Sequence, residues 1–302
     1  MRLTNNSYPL VSVAIITYNQ KEYLRECIES ILLQNYPNLQ IVVADDCSSD
    51  GTQDLLLRYS QQYPNVFTLK LSEKNLGITA NSNLAHFACR GKYIFWMGGD
   101  DLMLPGKIAK QVEYMENNPD CTLCYHNLDV FDSATKKNLY YFNHLKKQKI
   151  NGTIREIIKF RTFNGACSTV VRKDKTPKEG FNELIPIASD WLYWVDTLAN
   201  GGNIKYIDEV LGKYRRHDNN ITKKTKFLSQ ADIDHLNTCN IIIGKYPQYL
   251  SEALYAYAEI LFHLRKKLDY KKIVCFSLGA NFRIRKAIAL GVFLLSFGII
   301  KV

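Results

Sequence analysis

Three short polar clusters follow apolar runs in the first hundred residues, and their residue types suit the handling of a nucleoside diphosphate. Thr17-Tyr18-Asn19 ends the first run, Asp45-Asp46 followed by Cys47-Ser48-Ser49-Asp50-Gly51-Thr52 ends the second, and Gly98-Gly99-Asp100-Asp101 ends a later one. An aromatic ring beside a carboxylate can stack on a base and accept its imide proton, and Tyr18 with Asp46 supplies both groups. Adjacent glycines let a backbone approach phosphate oxygens closely, and an aspartate beside them can hold a hard divalent cation. Without that cation the carboxylate would repel the diphosphate. The chain has no Walker-type lysine loop and no GxGxxG, so neither a P-loop nor a dinucleotide fold is expected.

The elements that must position these clusters are legible as alternating strands and helices. LVSVAIIT (10–17) has the near-continuous apolar character of a strand covered on both faces. The spacing predicts a helix over 21–34, with Leu24, Cys27, Ile28, Ile31 and Leu32 on one stripe. Strands follow at 39–45, 67–71 and 92–97, separated by helices at 52–63 and 78–89, the order of βαβ units and a mainly parallel sheet. Such sheets bind ligands in the crevice at the carboxyl ends of their strands, where all three polar clusters fall. A helix near 107–117 and the strand CTLCY come next. The stretch 126–165, polar, basic and aromatic, is expected to carry loops over the site. A short strand at 168–172, a helix starting near Asp190 and strands at IKYID and VLGKYRR complete this part, and from about Ser229 the pattern turns helical.

Six motifs in a fixed order over about 10–222 resemble the family 2 inverting glycosyltransferases of GT-A fold. They are VSVAIITYN, VVADDCSSDGT, EKNLGIT, YIFWMGGDDLMLP, SDWLYW and YRRHDNNIT. The resemblance implies an α/β GT-A domain over 1–222, Rossmann-like with a mainly parallel central sheet, and the helical pattern beyond it marks 223–302 as a basic helical C-terminal extension. It implies a nucleotide-sugar donor, with a UDP-sugar expected, and a divalent metal, Mn2+ or Mg2+. In this resemblance Thr17, Tyr18 and Asn19 lie at the donor, Tyr18 stacks on the base, and Asp46 bonds its imide. Asp100 is the metal-binding aspartate, His217 approaches the diphosphate and could share the metal, and Asp190 is the general base. Asn75, Gly99, Asp101 and Arg215 are further donor-site residues. Trp191, beside the base, is expected to contact the acceptor, and Trp194 is expected in the core. Asp50 is expected to start a helix. Two departures stand out: Gly98 occupies the place of the family's first carboxylate, and Ser189 replaces the acid before the base.

Composition bounds the rest. With 302 residues, 46% of them hydrophobic, the chain can build a sizeable core, so disorder is excluded and the eight cysteines are expected as reduced thiols. Cys121, Cys124 and His126 alternate as a strand does, and no second Cys/His pair follows at zinc-finger spacing. Residues 223–302 hold 13 Lys/Arg against 5 Asp/Glu, which is most of the formal charge of +10. This suggests an anionic surface as partner, and without nucleic-acid-binding motifs a membrane is the expectation. The apolar run Ala287–Ile300 is too short for a span of about 20 residues, so it is either an interfacial helix with a basic flank or a buried core helix. The amino terminus has no signal-like apolar run. A cytoplasmic protein, peripheral on the inner face of the cytoplasmic membrane and acting on a lipid-linked oligosaccharide of a surface polysaccharide, is expected. The alternative is an inactive or non-sugar nucleotide-binding protein of the same fold.

Overall fold

A computed structural model describes residues 8–145, 149–161, 163–218, 220, 227–280, 283–295 and 301. Strands β1 (Val11–Thr17), β2 (Leu39–Asp45), β3 (Phe67–Leu71) and β4 (Tyr93–Gly98) alternate with helices α1 (Lys21–Leu32), α2 (Thr52–Gln62) and α3 (Ile78–Ala88). Then come β5 (Leu102–Met103), α4 (Lys107–Asn117), β6 (Cys121–Asp132), β7 (Asn138–Tyr141), α5 (Ile154–Phe160), β8 (Val170–Arg172), α6 (Asp190–Ala199) and β9 (Asn203–Arg216). Helices α7 (Gln230–Lys245), α8 (Leu250–Leu264), α9 (Tyr270–Ala280) and α10 (Ile284–Leu295) follow.

The strands form one mixed sheet in the order β3-β2-β1-β4-β8-β6-β9-β5, with β7 beside β6. Its long registers are parallel, β1 against β2 and β4, β2 against β3, and β6 against β9. The antiparallel pairings are short. Because the chain moves outward from β1 to β3 and then crosses back to β4, the strand order reverses beside β1. That reversal opens a crevice at the carboxyl ends of β1 and β4.

Local sequence explains these elements. Val11, Val13, Ala14 and Ile15 are buried on both faces of β1, and α1 lays Leu24, Cys27, Ile28 and Ile31 against the sheet. Each fully buried Leu or Ile contributes roughly 1.5–3 kcal/mol. Cys121, Cys124 and His126 are buried in β6, as the alternation predicts. All eight cysteines are free thiols.

The stretch 126–165 is more regular than its composition suggests. Through Asp132, β6 pairs in parallel with β9, across register shifts near Thr122 and Asn127. The two strands expected at IKYID and VLGKYRR are a single one, β9. Long-range pairing here overrides weak local propensity. Helix α5 has a local signal of its own, since Ile154, Ile157 and Ile158 recur at helical spacing.

The chain divides into two compact units, Met1–Ile154 with Thr162–Asn220, and Arg155–Arg161 with Ile221–Val302. In the second unit Ser229 caps α7 in a reciprocal pair with Asp232. Phe262, Tyr270, Val274 and Ala289 form a small core of that unit, and the Tyr270 hydroxyl donates to the Ala289 carbonyl at 3.2 Å. One face of α10 is therefore packed, while Ile288, Leu294 and Leu295 are exposed. Residues 296–300 of the apolar run lie outside the described residues.

Candidate active site

The loop after β1 is pinned to the loop after β2. Asn19 adopts a left-handed backbone, φ 52°. Its N–H donates to Ser48 Oγ at 2.7 Å, and its Oδ1 accepts from the Ser49 N–H at 2.8 Å. Between Thr17, which is buried, and Asn19, the Tyr18 ring is left 49% exposed, available for stacking. Asp46 is buried at the end of β2, and its two carboxylate oxygens accept the N–H groups of Leu76 at 2.6 Å and Gly77 at 3.0 Å. The carboxylate thus fixes the Asn75–Gly77 turn, and Asn75 Nδ2 donates back to the Asp46 carbonyl at 3.4 Å. An ionised carboxylate offers about four lone-pair directions, so a base could still share it. Asp45 closes β2, and its Oδ2 accepts from Ser48 N at 2.9 Å and Gln53 Nε2 at 2.8 Å. Asp50 accepts from the N–H groups of Lys21 and Thr52 at 3.0 Å each, so it serves the starts of both α1 and α2.

The end of β4 lies against this loop. Gly99 N–H donates to the Ile16 carbonyl at 2.9 Å. A Cβ on Gly99 would stand 2.8 Å from Thr17 Oγ1 and 2.9 Å from Gln20 Oε1, so glycine is required by close approach. At Gly98 a Cβ would stand 2.7 Å from Asp100 Oδ1. The glycine in place of the family's first carboxylate therefore gives Asp100 its room.

Asp100 and Asp101 face different ways. Asp100 Oδ2 lies 2.9 Å from His217 Nε2, and Asn220 Nδ2 reaches the same oxygen at 3.4 Å. Tyr23 on α1 covers the imidazole, ring centroids 4.9 Å apart. Asp101 points inward and accepts the Arg215 N–H at 3.0 Å. Burial, reinforced by the Asp100 charge, pushes its carboxyl well above the usual range. Asp101 is therefore placed beneath the cleft rather than in it. Lys107 is buried below as well; its ammonium donates to the Cys167 carbonyl, and burial lowers its pKa to about 8.

Arg215 corrects the expectation of a donor contact. Its side chain is fully buried, Nε donating to the Asp100 carbonyl at 2.7 Å and Nη2 to Glu26 Oε2 at 2.7 Å. Its guanidinium packs against Tyr23 and Phe131. The reason is the position of β9, which carries Arg215 under the Asp100-Asp101 turn and makes it a brace. Tyr23 and Glu26 were missed, although their i, i+3 spacing puts them on one face of α1.

Asp190 opens α6. The segment before it is anchored to the start of α3, where Thr79 Oγ1 donates to the Ile185 carbonyl at 2.6 Å and lies 2.9 Å from Ser189 Oγ. Asp190 Oδ1 accepts the Trp191 N–H at 2.8 Å. Burial raises its pKa above the usual carboxylate value, opposed by backbone hydrogen bonds. Among the described residues no neighbouring acid contributes, so burial is what raises it. Trp191 is a second correction. It is fully buried, as are Trp194 and the rest of α6 through Leu198, and it presents no surface to an acceptor. From Trp191 to Leu198 every side of α6 is buried, polar Asp196 and Thr197 included, so this stretch has no solvent face.

Among the described residues no group of three His, Cys, Asp or Glu side chains could hold a metal. Asp100 and His217 remain as a pair, a carboxylate oxygen beside an imidazole nitrogen. That donor set suits Mn2+, and Mg2+ is commonly held by one or two carboxylates with phosphate oxygens and waters completing the shell. The residues present fit such an ion.

Residues 12–172, just over half of the chain, match the family described as Glycosyl transferase family 2. The chain belongs to that family. An uncharacterised protein of Mycobacterium tuberculosis is 31% identical over 70% of this chain, and the chain spans 60% of that relative's length. A putative teichuronic acid biosynthesis glycosyltransferase of Bacillus subtilis, TuaG, is 27% identical over 74% of this chain and 88% of its own. Among solved structures, S. aureus TarS 1-349 in complex with UDP-GlcNAc superposes with a TM-score of 0.65 at 15% identity, covering 95% of this chain and 92% of that one. The mannosyltransferase PcManGT from Pyrobaculum calidifontis, in complex with GDP-Man and Mn2+, gives 0.59 at 15% identity over 95% of this chain and 80% of that one. These likenesses show the fold: the mixed, mainly parallel sheet of a family 2 glycosyltransferase with helices at its carboxyl end.

Proposed function

We propose that the chain transfers a sugar from a nucleotide-sugar donor, a UDP-sugar, to an acceptor hydroxyl with inversion at the anomeric carbon. The observation that supports it best is the 2.9 Å approach of Asp100 Oδ2 to His217 Nε2 in the strand-end crevice. Tyr18 is the exposed ring for the base, and Asp46 with Asn75 shapes the turn beside it. Asp100 and His217 would hold Mn2+ or Mg2+, and such an ion supplies positive charge to a departing diphosphate. Asp190 accepts the proton of the attacking hydroxyl; the new glycosidic C–O bond forms as the bond from the anomeric carbon to phosphate breaks. No covalent enzyme intermediate is needed.

The UDP-GlcNAc in the TarS complex supports a UDP-sugar, and the Mn2+ of the PcManGT complex supports the metal. The teichuronic acid role in the name of TuaG supports a place in surface polysaccharide assembly, with a glycan or lipid-linked oligosaccharide as acceptor. Among the described residues no helix is long and apolar enough to cross a membrane. The basic C-terminal region and the exposed face of α10 support peripheral contact with an anionic membrane, on the cytoplasmic side in this reading.

The test is hydrolysis of a panel of nucleotide sugars with Mn2+ present, followed by transfer once an acceptor is found. A UDP-sugar should turn over, EDTA should stop the reaction, and Mn2+ or Mg2+ should restore it. Full activity in EDTA refutes the metal assignment. Tight UDP binding with no turnover of any donor favours an inert nucleotide-binding protein.

A further inference from the structure

The C-terminal unit contains a cavity of about 380 Å³ that the transfer reaction does not use. It is walled by the end of α8 and the turn after it, by α10, and by Arg161 at the end of α5. Three guanidiniums line it, those of Arg161, Arg265 and Arg285, against the single carboxylate of Glu259. Glu259 is already shared, since Arg285 pairs with it, Lys286 Nζ lies 2.8 Å from Oε1 and Arg283 Nε lies 3.9 Å away. Arg161 has no carboxylate within ion-pair distance among the described residues. It is partly buried, burial depresses its pKa with the Arg285 charge adding to the effect and Glu259 opposing it, and its backbone is left-handed, φ 63°. A desolvated cation on strained backbone, beside other cations, costs stability unless something else offsets it.

We propose that this cavity binds a phosphate monoester or diphosphate group. A multiply charged oxyanion is the partner that several planar guanidinium forks match, by parallel N–H···O bonds. Arg265 and Arg285 stack on the Phe262 ring at 4.1 and 5.5 Å, which fixes guanidinium planes at the cavity wall. The volume, at the lower end for small-molecule sites, admits more than a bare phosphate. Ile288 and Ala289 give one side an apolar lining, and Ile288 is 56% exposed, so an apolar substituent on the phosphate could leave along that side. The phosphate could belong to a lipid headgroup or to a soluble compound; the recognising chemistry is the same.

The test is calorimetric titration of the full chain with inorganic pyrophosphate in EDTA, together with thermal denaturation. Wild type should bind, and Arg161→Gln should weaken binding about tenfold or more, the worth of one charge-assisted hydrogen bond. Arg285→Gln, which leaves Glu259 its Lys286 partner, should do the same. Lys272→Gln removes an exposed charge on α9 and should leave affinity unchanged. Without ligand, Arg161→Gln should melt at or above the wild-type temperature, because it removes a desolvated charge; a merely structural arginine would lower it. Vesicles of phosphatidylcholine with phosphatidic acid separate the sources. Binding sensitive to Arg161→Gln assigns a lipid phosphate, and soluble pyrophosphate binding without such vesicle binding assigns a soluble one. No pyrophosphate binding by wild type, or equal binding by both arginine variants, overturns the proposal whether or not the chain is a transferase.

Discussion

Replacing Asp190 with asparagine separates its chemistry from its structure. The amide oxygen can still accept the Trp191 N–H that Oδ1 accepts at 2.8 Å, so the start of α6 should survive. Asp190→Ala loses that acceptor as well and should cost about 1 kcal/mol more, the net worth of one hydrogen bond. The carboxylate itself is disfavoured by burial, which holds its pKa in the folded chain above that of an ordinary aspartate. The folded state therefore binds this proton more tightly than the unfolded one, so the group's contribution is most favourable below the unfolded pKa. It declines as pH rises through the folded pKa, by about 1.4 kcal/mol for every pH unit that separates the two values. Asparagine has no such dependence, so at neutral pH Asp190→Asn should be as stable as wild type or more so. Turnover should fall by about 10²-fold or more, the lower range for a lost general base, with donor affinity preserved within a few fold. In wild type the rate should rise with pH to a midpoint above that of an ordinary aspartate. The assay is UDP release against a verified acceptor across pH, with donor titration and a melting curve for each variant. Turnover within tenfold of wild type in a folded Asp190→Asn protein would refute the assignment.

Arg215→Met should destabilise the fold by a few kcal/mol, because Glu26 and the Asp100 carbonyl lose their buried partner. Donor affinity lost with no change in melting temperature would instead restore a direct donor contact. Gly99→Ala should lower stability by about 1–3 kcal/mol in chemical denaturation, since the methyl meets Thr17 and Gln20 at 2.8–2.9 Å; an unchanged midpoint would show that this approach is soft. At α10, Leu295→Asp should reduce sedimentation with anionic vesicles at low salt while the melting temperature holds, because Leu295 is 84% exposed. Unchanged sedimentation would remove that face from membrane contact. Deletion from Ala287 onward removes the Ala289 packing against Phe262 and Tyr270, and should lower stability measurably.

The amino-acid sequence determined the elements that depend on near neighbours. Apolar runs and stripes set β1 to β4 and α1 to α4, Asp50 could be read as a helix start, and Tyr18, Asp46 and Asp100 were legible as residues just past strand ends. Those signals reside in side chains two to four residues apart, so no other part of the chain is needed to read them. Tertiary structure decided what each carboxylate or ring faces. Asp100 and Asp101 are neighbours in sequence, yet one meets His217, 117 residues away, and the other turns inward to the Arg215 amide. Which does which depends on how β9 registers against β5 and β6, set by a ladder whose shifts no local pattern encodes. Trp191 looked available because it adjoins Asp190, but core on every side of α6 closes over it. Likewise α5 groups with the C-terminal helices although strands flank it in sequence. Burial is a property of the assembled chain, and so the raised pKa of Asp190, the internal place of Arg215 and the cationic cavity at Arg161 belong to the fold alone.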